Sequence, residues 1–419
     1  MNEDPTVLLS PPGQRLLARL AQEAAPGGAS PAGASPVGAP PATAHRTDLA
    51  LAVSLRREYP ASLVAAAMTQ QELRLAARAK FGRAMRMLFT RDGYEQSSSE
   101  TIARHRAARF TGVRRAADLC CGIGGDLIAL ASRAEHVLAV DRDEVHARLA
   151  RHNAGVYEVA DAVRACVADV RDVSLTGIDA VFVDPARRAG THRFRAGTSE
   201  PPLDWCLSLP DRAPGAARAP AVCVKAAPGL PAELIPAGWE AEFIADGRDL
   251  KEAVLWSPAL ATAARRATIL PGADTLVADS GASADPDPVR VGEPGEYLLD
   301  PNPAVTRAGL VEDLARMLGA WKIDPLIAFL AVPRDVRTPF ARTLRVVESA
   351  PWNEKLFARR LRDLGVGAAD LRRRGLAGDV EQIHRRLKLA GPHRATLVLT
   401  RVSDKPWGLI CADPGSLLG

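Results

Sequence analysis

The sequence has no long apolar run, few aromatic residues and few cysteines. A transmembrane helix needs about 18 or more consecutive apolar residues, and no such stretch is present. Residues 1–5 lack the basic and apolar regions of a secretory signal peptide. The six cysteines show no metal-binding spacing, so we expect reduced, buried thiols and no metal site. These absences predict a cytoplasmic protein without membrane association.

The charge of the chain is small overall but unevenly distributed. The formal net charge is +5, although residues 341–401 contain 14 Lys/Arg against 6 Asp/Glu, a net of +8. The remainder of the chain is therefore slightly acidic. A basic C-terminal region beside a nearly neutral body favours a polyanionic partner, and a solvated helical surface is the alternative explanation.

The pattern of apolar residues predicts several modules. Residues 24–44 are almost entirely Ala, Pro, Gly and Ser and are expected to be disordered. Apolar residues recur at helical spacing over residues 46–90, and strands alternate with helices over 115–260, ending in a hairpin near 239–256. We therefore predict an N-terminal segment (1–45), a helical module (46–93), an α/β domain (94–265) and a C-terminal α+β module (266–419).

A glycine-rich turn is the most informative motif. The apolar run that ends at Asp118 is followed by Cys120, Cys121 and the glycines Gly122, Gly124 and Gly125. Such a strand, turn and helix let the backbone approach a ligand closely. A second apolar run ends in Asp141, nineteen residues after Gly122, where an acid can accept hydrogen bonds from ribose hydroxyls. The pattern indicates a nucleoside-containing cofactor.

The form of the turn distinguishes between cofactors. A dinucleotide site has the pattern G-x-G-x-x-G and places a pyrophosphate at the helix N-terminus. Here Asp126 occupies that place, and Asp118 adds a second negative charge. Both disfavour a phosphate and suit a cationic amino-acid group, so a nicotinamide-dependent oxidoreductase is disfavoured. Cys120 is expected to pack beside the cofactor rather than to act as a nucleophile.

The turn resembles motif I of class I S-adenosylmethionine (SAM)-dependent methyltransferases. The resemblance implies a parallel sheet with a terminal antiparallel hairpin, and Asp141 as the acid that binds ribose. The segment after Tyr94 is similar to the "EQ-x-T/S-S/T-E" segment of a bacterial methyltransferase group. By this resemblance, Gln96 and Ser97 would bind the cofactor carboxylate. Asp169, after the third strand, would accept a hydrogen bond from the adenine amine.

The fourth predicted strand ends in Asp184-Pro185-Ala186-Arg187-Arg188. Amino-methyltransferases often have Asp/Asn-Pro-Pro-aromatic at this place, so the resemblance implies catalytic roles for Asp184 and Pro185, and Arg187 beside them is a further catalytic candidate. The stacking aromatic residue is absent, and Phe194 or Trp205 in the following loop could replace it. Arg187 and Arg188 suit an anionic acceptor such as a nucleotide phosphate, and Arg187 could instead pair with a nearby acid and only shape the loop.

The C-terminal region resembles the THUMP-like domain of a bacterial class I methyltransferase family, and the whole resemblance spans roughly residues 46–410. The family is distantly similar to trimethylguanosine synthase-type RNA methyltransferases. THUMP domains bind RNA, so the resemblance implies RNA as the partner, and Arg373 and Arg374 flank a glycine turn where cations could contact phosphates.

The leading hypothesis is a SAM-dependent methyltransferase that modifies a base nitrogen in ribosomal or transfer RNA. Two alternatives remain open. The acceptor could be a small molecule or a protein, or the chain could be a non-catalytic RNA-binding protein with a degenerate methyltransferase fold. The altered sequence after Asp184 favours the last alternative, whereas the intact turn and Asp141 oppose it.

Overall fold

The computed structural model describes residues 4–23, 50–186, 188–189, 192–193, 199–211, 220–278, 288–376 and 379–416. The chain divides into two compact units, residues 1–225 and 226–419. The domain boundaries after residues 45, 93 and 265 stay predictions. Within the described residues, no helix has the length and apolar character needed to span a bilayer.

The first unit contains helices both before its sheet and between the strands of that sheet. They are α1 (Pro11–Glu23), α2 (Ala61–Ala77), α3 (Arg91–Gln96), α4 (Glu100–Ala107), α5 (Gly125–Ala131), α6 (Glu144–Val156) and α7 (Leu203–Leu207), with a further helical segment over 50–55. The leucines of α1 and the apolar face of α2 share a buried cluster with Ile123, Ile128, Leu149 and Val156. The N-terminal helices therefore pack directly on the helices that follow the glycine turn.

A parallel sheet forms the centre of the first unit. Its strands are β1 (Arg115–Leu119), β2 (His136–Asp141), β3 (Val163–Val167), β4 (Ala180–Val183) and β7 (Ala221–Ala226), whereas β5 (Arg188–Ala189) and β6 (His192–Arg193) form a separate short pair. The parallel order is β7-β4-β1-β2-β3. Both faces are covered, so β4 is buried along its whole length.

The strand order reverses beside β1. The chain passes from β1 to β2 and β3 on one side and then returns to β4 and β7 on the other. Ligands of open α/β sheets bind outside the carboxyl ends of the strands at such a reversal. The residues that follow β1 and β4 therefore border the expected ligand crevice.

The second unit begins with four strands in the order β11-β10-β8-β9. They are β8 (Glu240–Asp246), β9 (Asp249–Trp256), β10 (Arg265–Leu270) and β11 (Asp274–Val277). β8 and β9 are antiparallel and joined at Gly247, whose φ of +56° suits a tight turn. The predicted hairpin is present.

The C-terminal part of the second unit is an α+β module, as predicted. Its sheet has the order β13-β14-β12-β15-β18-β17-β16. The strands are β12 (Tyr297–Pro301), β13 (Trp321–Lys322), β14 (Leu330–Val332), β15 (Ala341–Pro351), β16 (Val366–Arg373), β17 (His393–Val402) and β18 (Lys405–Ala412). The helices are α8 (Pro303–Arg307), α9 (Val311–Leu318), α10 (Glu354–Asp363) and α11 (Val380–Leu387).

Candidate cofactor pocket and active site

A pocket of about 360 Å³ lies at the carboxyl ends of β1, β2, β3 and β4 in the first unit. It brings together most of the predicted cofactor and catalytic residues. Those that line it are Gln96, Ser97, Asp118, Cys120, Gly122, Asp126, Asp141, Asp169, Asp184 and Pro185. All the predicted cofactor residues except Gly124 thus share one cavity with the first two predicted catalytic residues.

The glycine turn is held in a conformation that disfavours other residues. Gly122 has φ +51° and Gly124 has φ +87°, both in the left-handed region. A Cβ on Gly124 would lie 3.0 Å from the Cα of Ala150 in α6, so the turn also packs closely on that helix. Gly124 does not line the pocket; it shapes the turn that does.

Asp118 is the most unusual group in the pocket. It is fully buried, and neither carboxylate oxygen has a hydrogen-bond partner within the described residues. Burial, followed by the charges of Asp126, Asp184 and Asp141, raises the pKa of Asp118 well above its ordinary value. A buried, unpaired carboxylate is costly, so this site favours a ligand that brings a cationic hydrogen-bond donor, such as an ammonium group.

Asp126 is neutralised by a residue that the sequence did not single out. Arg106, 1% exposed, donates from Nη2 to Oδ1 of Asp126 and to the hydroxyl of Ser98, and its guanidinium lies over the ring of Phe182. The signal was weak because Arg104, His105 and Arg106 are consecutive and suggest an exposed basic face. Asp126 is therefore paired, whereas the buried Asp118 has no hydrogen-bond partner among the described residues.

Asp141 ends β2 and faces the turn. Its Oδ2 accepts from the backbone N–H of Gly122 at 2.8 Å, and its Oδ1 accepts from that of Asp143 at 2.9 Å. These bonds orient the carboxylate while each oxygen keeps a lone pair. His146, another pocket residue that the sequence did not single out, places Nδ1 3.9 Å from Oδ1 of Asp141 and contacts the hydroxyl of Thr90 through Nε2 at 3.1 Å.

Asp169 lies at the pocket beyond β3 but already has a cationic partner. Arg171 donates to both of its oxygens, at 2.9 and 2.7 Å, and also reaches Glu200 at 2.9 Å. The hydrogen bonds from Arg171 lower the pKa of Asp169 to about 2. The carboxylate therefore remains ionised.

Asp184 forms an ion pair with a buried lysine at the end of the next strand. Nζ of Lys225 lies 2.5 Å from Oδ2 of Asp184, and Lys225 is 3% exposed. The pairing follows from the sheet, because Val183 of β4 is in register with Val224 of β7. The position of Lys225 at a strand end was visible in the sequence, but its partner became evident only once β4 and β7 were adjacent.

The pocket cysteines are poorly suited to nucleophilic chemistry. Burial is the largest cause that raises the pKa of both the Cys120 and the Cys121 thiols, and the neighbouring carboxylates raise it further. A thiol kept protonated is a weak nucleophile. Cys120 borders the pocket, as a packing residue would.

The remaining predicted residues are not gathered at the pocket. Arg187 and Phe194 lie outside the described residues, and Arg188 is described only as part of β5. Trp205 lies in α7 and does not line the pocket. In the second unit, Arg373 ends β16, and Arg374 pairs with the buried Asp300 at 3.0 Å and lies over the ring of Phe329.

Comparisons with known proteins identify the family of this chain and two domain types within it. An RNA cap guanine-N2 methyltransferase family profile matches residues 113–194, and a THUMP domain-like profile matches residues 341–413. Proteins from two strains of Mycobacterium tuberculosis, each named as an S-adenosylmethionine-dependent methyltransferase, are 36% identical over 322 residues, covering 75% of this chain and 85% of theirs.

The fold also matches a known structure. A methyltransferase candidate from Porphyromonas gingivalis superimposes with a TM-score of 0.69 at 20% identity, covering 88% of this chain and 99% of that one. This similarity confirms the predicted class I methyltransferase fold. The predictions of the enzyme class, the cofactor and the THUMP-like domain are likewise confirmed. The chain belongs to the family of SAM-dependent methyltransferases represented by its mycobacterial relatives, and it carries a C-terminal THUMP-like domain.

Proposed function

We propose that this SAM-dependent methyltransferase modifies a base nitrogen in RNA, either ribosomal or transfer RNA. The observation that carries the proposal is the Asp184 carboxylate, which is fixed by Lys225 at the pocket that contains Asp118. The matches to an RNA cap guanine-N2 methyltransferase profile and to a THUMP-like profile support RNA as the acceptor. The basic character of residues 341–401 supports it further.

The pocket residues fit SAM, and we assign them as follows. The unpartnered Asp118 would hold the ammonium group of the amino-acid moiety, and Gln96 with Ser97 would bind its carboxylate. Asp141 would accept from the ribose hydroxyls. Asp169 would accept a hydrogen bond from the adenine amine while it stays paired with Arg171.

Gly122 keeps a side chain out of the cofactor's path, Gly124 shapes the turn that carries Gly122, and Cys120 packs against the cofactor. Asp126, already paired with Arg106, shapes the pocket wall rather than contributing free negative charge.

Bound SAM supplies a methyl group on a sulfonium centre, and the chain's own residues prepare the acceptor. Oδ2 of Asp184 is occupied by Lys225, which leaves Oδ1 to accept a hydrogen bond from the acceptor N–H. That bond orients the nitrogen lone pair, and Asp184 can then take the proton. Pro185 fixes the backbone φ after Asp184, and Ala186 pairs with Glu200, so the carboxylate is held in place.

The substrate contacts are proposed on the same basis. Arg187 and Arg188 follow directly after the catalytic strand and would contact the phosphates beside the target base. Phe194 or Trp205 would provide a stacking surface for that base, and Arg373 with Arg374 would contribute positive charge in the THUMP-like domain.

The test compares nucleosides from total RNA by mass spectrometry. A strain that lacks the gene should lose one methylated nucleoside, and the wild-type gene should restore it. Asp184→Ala should fail to restore it while retaining SAM binding in calorimetry, and Asp92→Ala at the exposed pocket rim should restore it fully. A nucleoside profile that is identical with and without the gene would exclude RNA as the acceptor and favour a small molecule or a protein.

A further inference from the structure

A second concavity of the first unit carries an excess of positive charge. It measures about 510 Å³, and its lining residues include Arg86, Arg148, Arg151 and His152. It shares no lining residue with the cofactor pocket. No acidic side chain is among the described residues that line it.

The helical repeat places these groups on one surface. Arg148, Arg151, His152 and Gly155 of α6 stand at positions i, i+3, i+4 and i+7, which puts them on one helix face. Arg86 joins them from the 3-10 turn Ala84–Arg86, whose last carbonyl lies 3.3 Å from Nε2 of His152. Gly155 adds no side chain to the surface, and a Cβ there would meet no atom within 4 Å.

The arginines of this surface are available to a ligand. Within the described residues, Arg86 and Arg151 form no ion pair, and both are exposed. Nη1 of Arg148 is 4.0 Å from Oε1 of Glu144. Exposed ion pairs of this kind contribute little to stability. Burial and then the charges of Arg74 and Arg86 lower the pKa of His152, in keeping with a local excess of cations.

We propose that this concavity, lined by Arg86, Arg148 and Arg151, binds backbone phosphates of the RNA acceptor. The inference rests on the proposed function. It adds to the methyltransferase domain a phosphate-binding surface separate from the THUMP-like domain. Arginines recognise phosphates through bidentate contacts, and the concave shape lets several approach one strand.

The surface lies close to the pocket along the same helix. His146, near the start of α6, lines the cofactor pocket, and Arg148 and Arg151 follow two and five residues later. At about 1.5 Å of rise per residue, these arginines lie roughly 3 and 8 Å further along the helix axis. At about 100° per residue, they also stand roughly 200° and 140° around the helix from His146, so an RNA strand that reaches both the pocket and this surface must pass around α6.

Gly155 offers a test that leaves every arginine in place. A Cβ at Gly155 would meet no atom within 4 Å, so the full-length variants Gly155→Ala, Gly155→Glu and Gly155→Arg should all fold. Binding is measured by fluorescence anisotropy with a short, labelled, mixed-sequence oligoribonucleotide at several salt concentrations. Relative to Gly155→Ala, we expect Gly155→Glu to bind about tenfold more weakly and Gly155→Arg to bind more tightly.

A charge-removal series provides the second measurement. Arg86→Gln with Arg151→Gln should reduce the slope of log affinity against log salt by about 0.7 for each phosphate that the variant no longer neutralises. The control, Arg133→Gln with Arg164→Gln, removes the same charge from exposed residues outside the concavity and should leave the slope unchanged. SAM affinity should be equal in all variants.

The outcomes separate this inference from the proposed function. If the wild-type protein does not bind RNA, the proposed function fails and this inference fails with it. If the wild type binds RNA but the three Gly155 variants bind equally, only the phosphate surface is refuted. Loss of binding to phosphatidylserine vesicles by Gly155→Glu, with unchanged RNA affinity, would also refute it.

Discussion

Replacing Asp118 by asparagine tests the assignment of the cofactor pocket most directly. Asp118 is fully buried and its oxygens have no partner within the described residues. A hydrogen bond from a cationic group to a carboxylate contributes about 1.5–3 kcal/mol. Asp118→Asn should therefore raise the dissociation constant for SAM by about 10- to 100-fold. Asp92→Asn removes a charge from the exposed rim of the same pocket and should change it little.

The same substitution has an opposite effect on the free protein. The folded pKa of Asp118 is raised above its unfolded value, mainly by burial. Its contribution to stability is thus fully present below the unfolded pKa of about 3.9 and is lost as the pH rises to the folded pKa. The loss is up to about 1.4 kcal/mol for each pH unit in that window. Asp118→Asn should remove this pH dependence and be at least as stable as wild type at neutral pH.

Two measurements decide the case. Calorimetry in buffers of different ionisation enthalpy should show release of up to about one proton per SAM bound by wild type below the folded pKa of Asp118, and none by Asp118→Asn. Urea unfolding across pH without SAM gives the stability difference. Wild-type SAM affinity in Asp118→Asn, or an Asp118→Asn protein whose stability keeps the wild-type pH dependence, would refute the reasoning.

Three further predictions concern the turn and the two ion pairs. Gly124→Ala should lower the free energy of unfolding in urea by about 1–2 kcal/mol, because the residue has φ +87° and a Cβ would approach α6 to 3.0 Å. Arg171→Ala should return the pKa of Asp169 from about 2 toward about 3.9 in a carboxyl NMR titration. A double-mutant cycle of Asp184→Ala and Lys225→Met should give a coupling free energy of about 1–3 kcal/mol in urea unfolding.

These predictions have controls within the chain. Gly155→Ala changes a glycine with open space around it and should not destabilise the protein. Arg171→Lys keeps a cation beside Asp169 and should leave its pKa depressed. For the cycle, additive effects of the two substitutions would show that the 2.5 Å contact contributes nothing to stability.

Much of the pocket could be predicted because its residues follow strands in a regular way. Asp118, Asp141, Asp169 and Asp184 each stand at or just after the end of an apolar run, and parallel strands place such ends at one edge of the sheet. Backbone periodicity was enough to bring them together. The hairpin at Gly247 was predictable for the same reason, since its turn residues separate two apolar runs.

The partners of these acids could not be predicted in this way. Arg106 binds Asp126 from 20 residues away, and Lys225 binds Asp184 from 41 residues away. Their pairing depends on how helices and strands pack rather than on local periodicity. A buried arginine in a run of basic residues looks like an exposed one, so sequence alone attributed to Asp126 a free charge that Arg106 in fact neutralises.

Asn153 of α6 links the glycine turn to the segment around Leu88 through hydrogen bonds. Its buried amide accepts from Leu88 N–H at 2.9 Å and donates to the carbonyls of Leu88 at 3.0 Å and of Ile123 at 2.8 Å. Ile123 belongs to the glycine turn, so ordering of the turn also orders the segment around Leu88. The free energy of SAM binding is therefore shared with this segment, and cofactor loading should slow hydrogen exchange at the Leu88 amide although it lies outside the pocket lining.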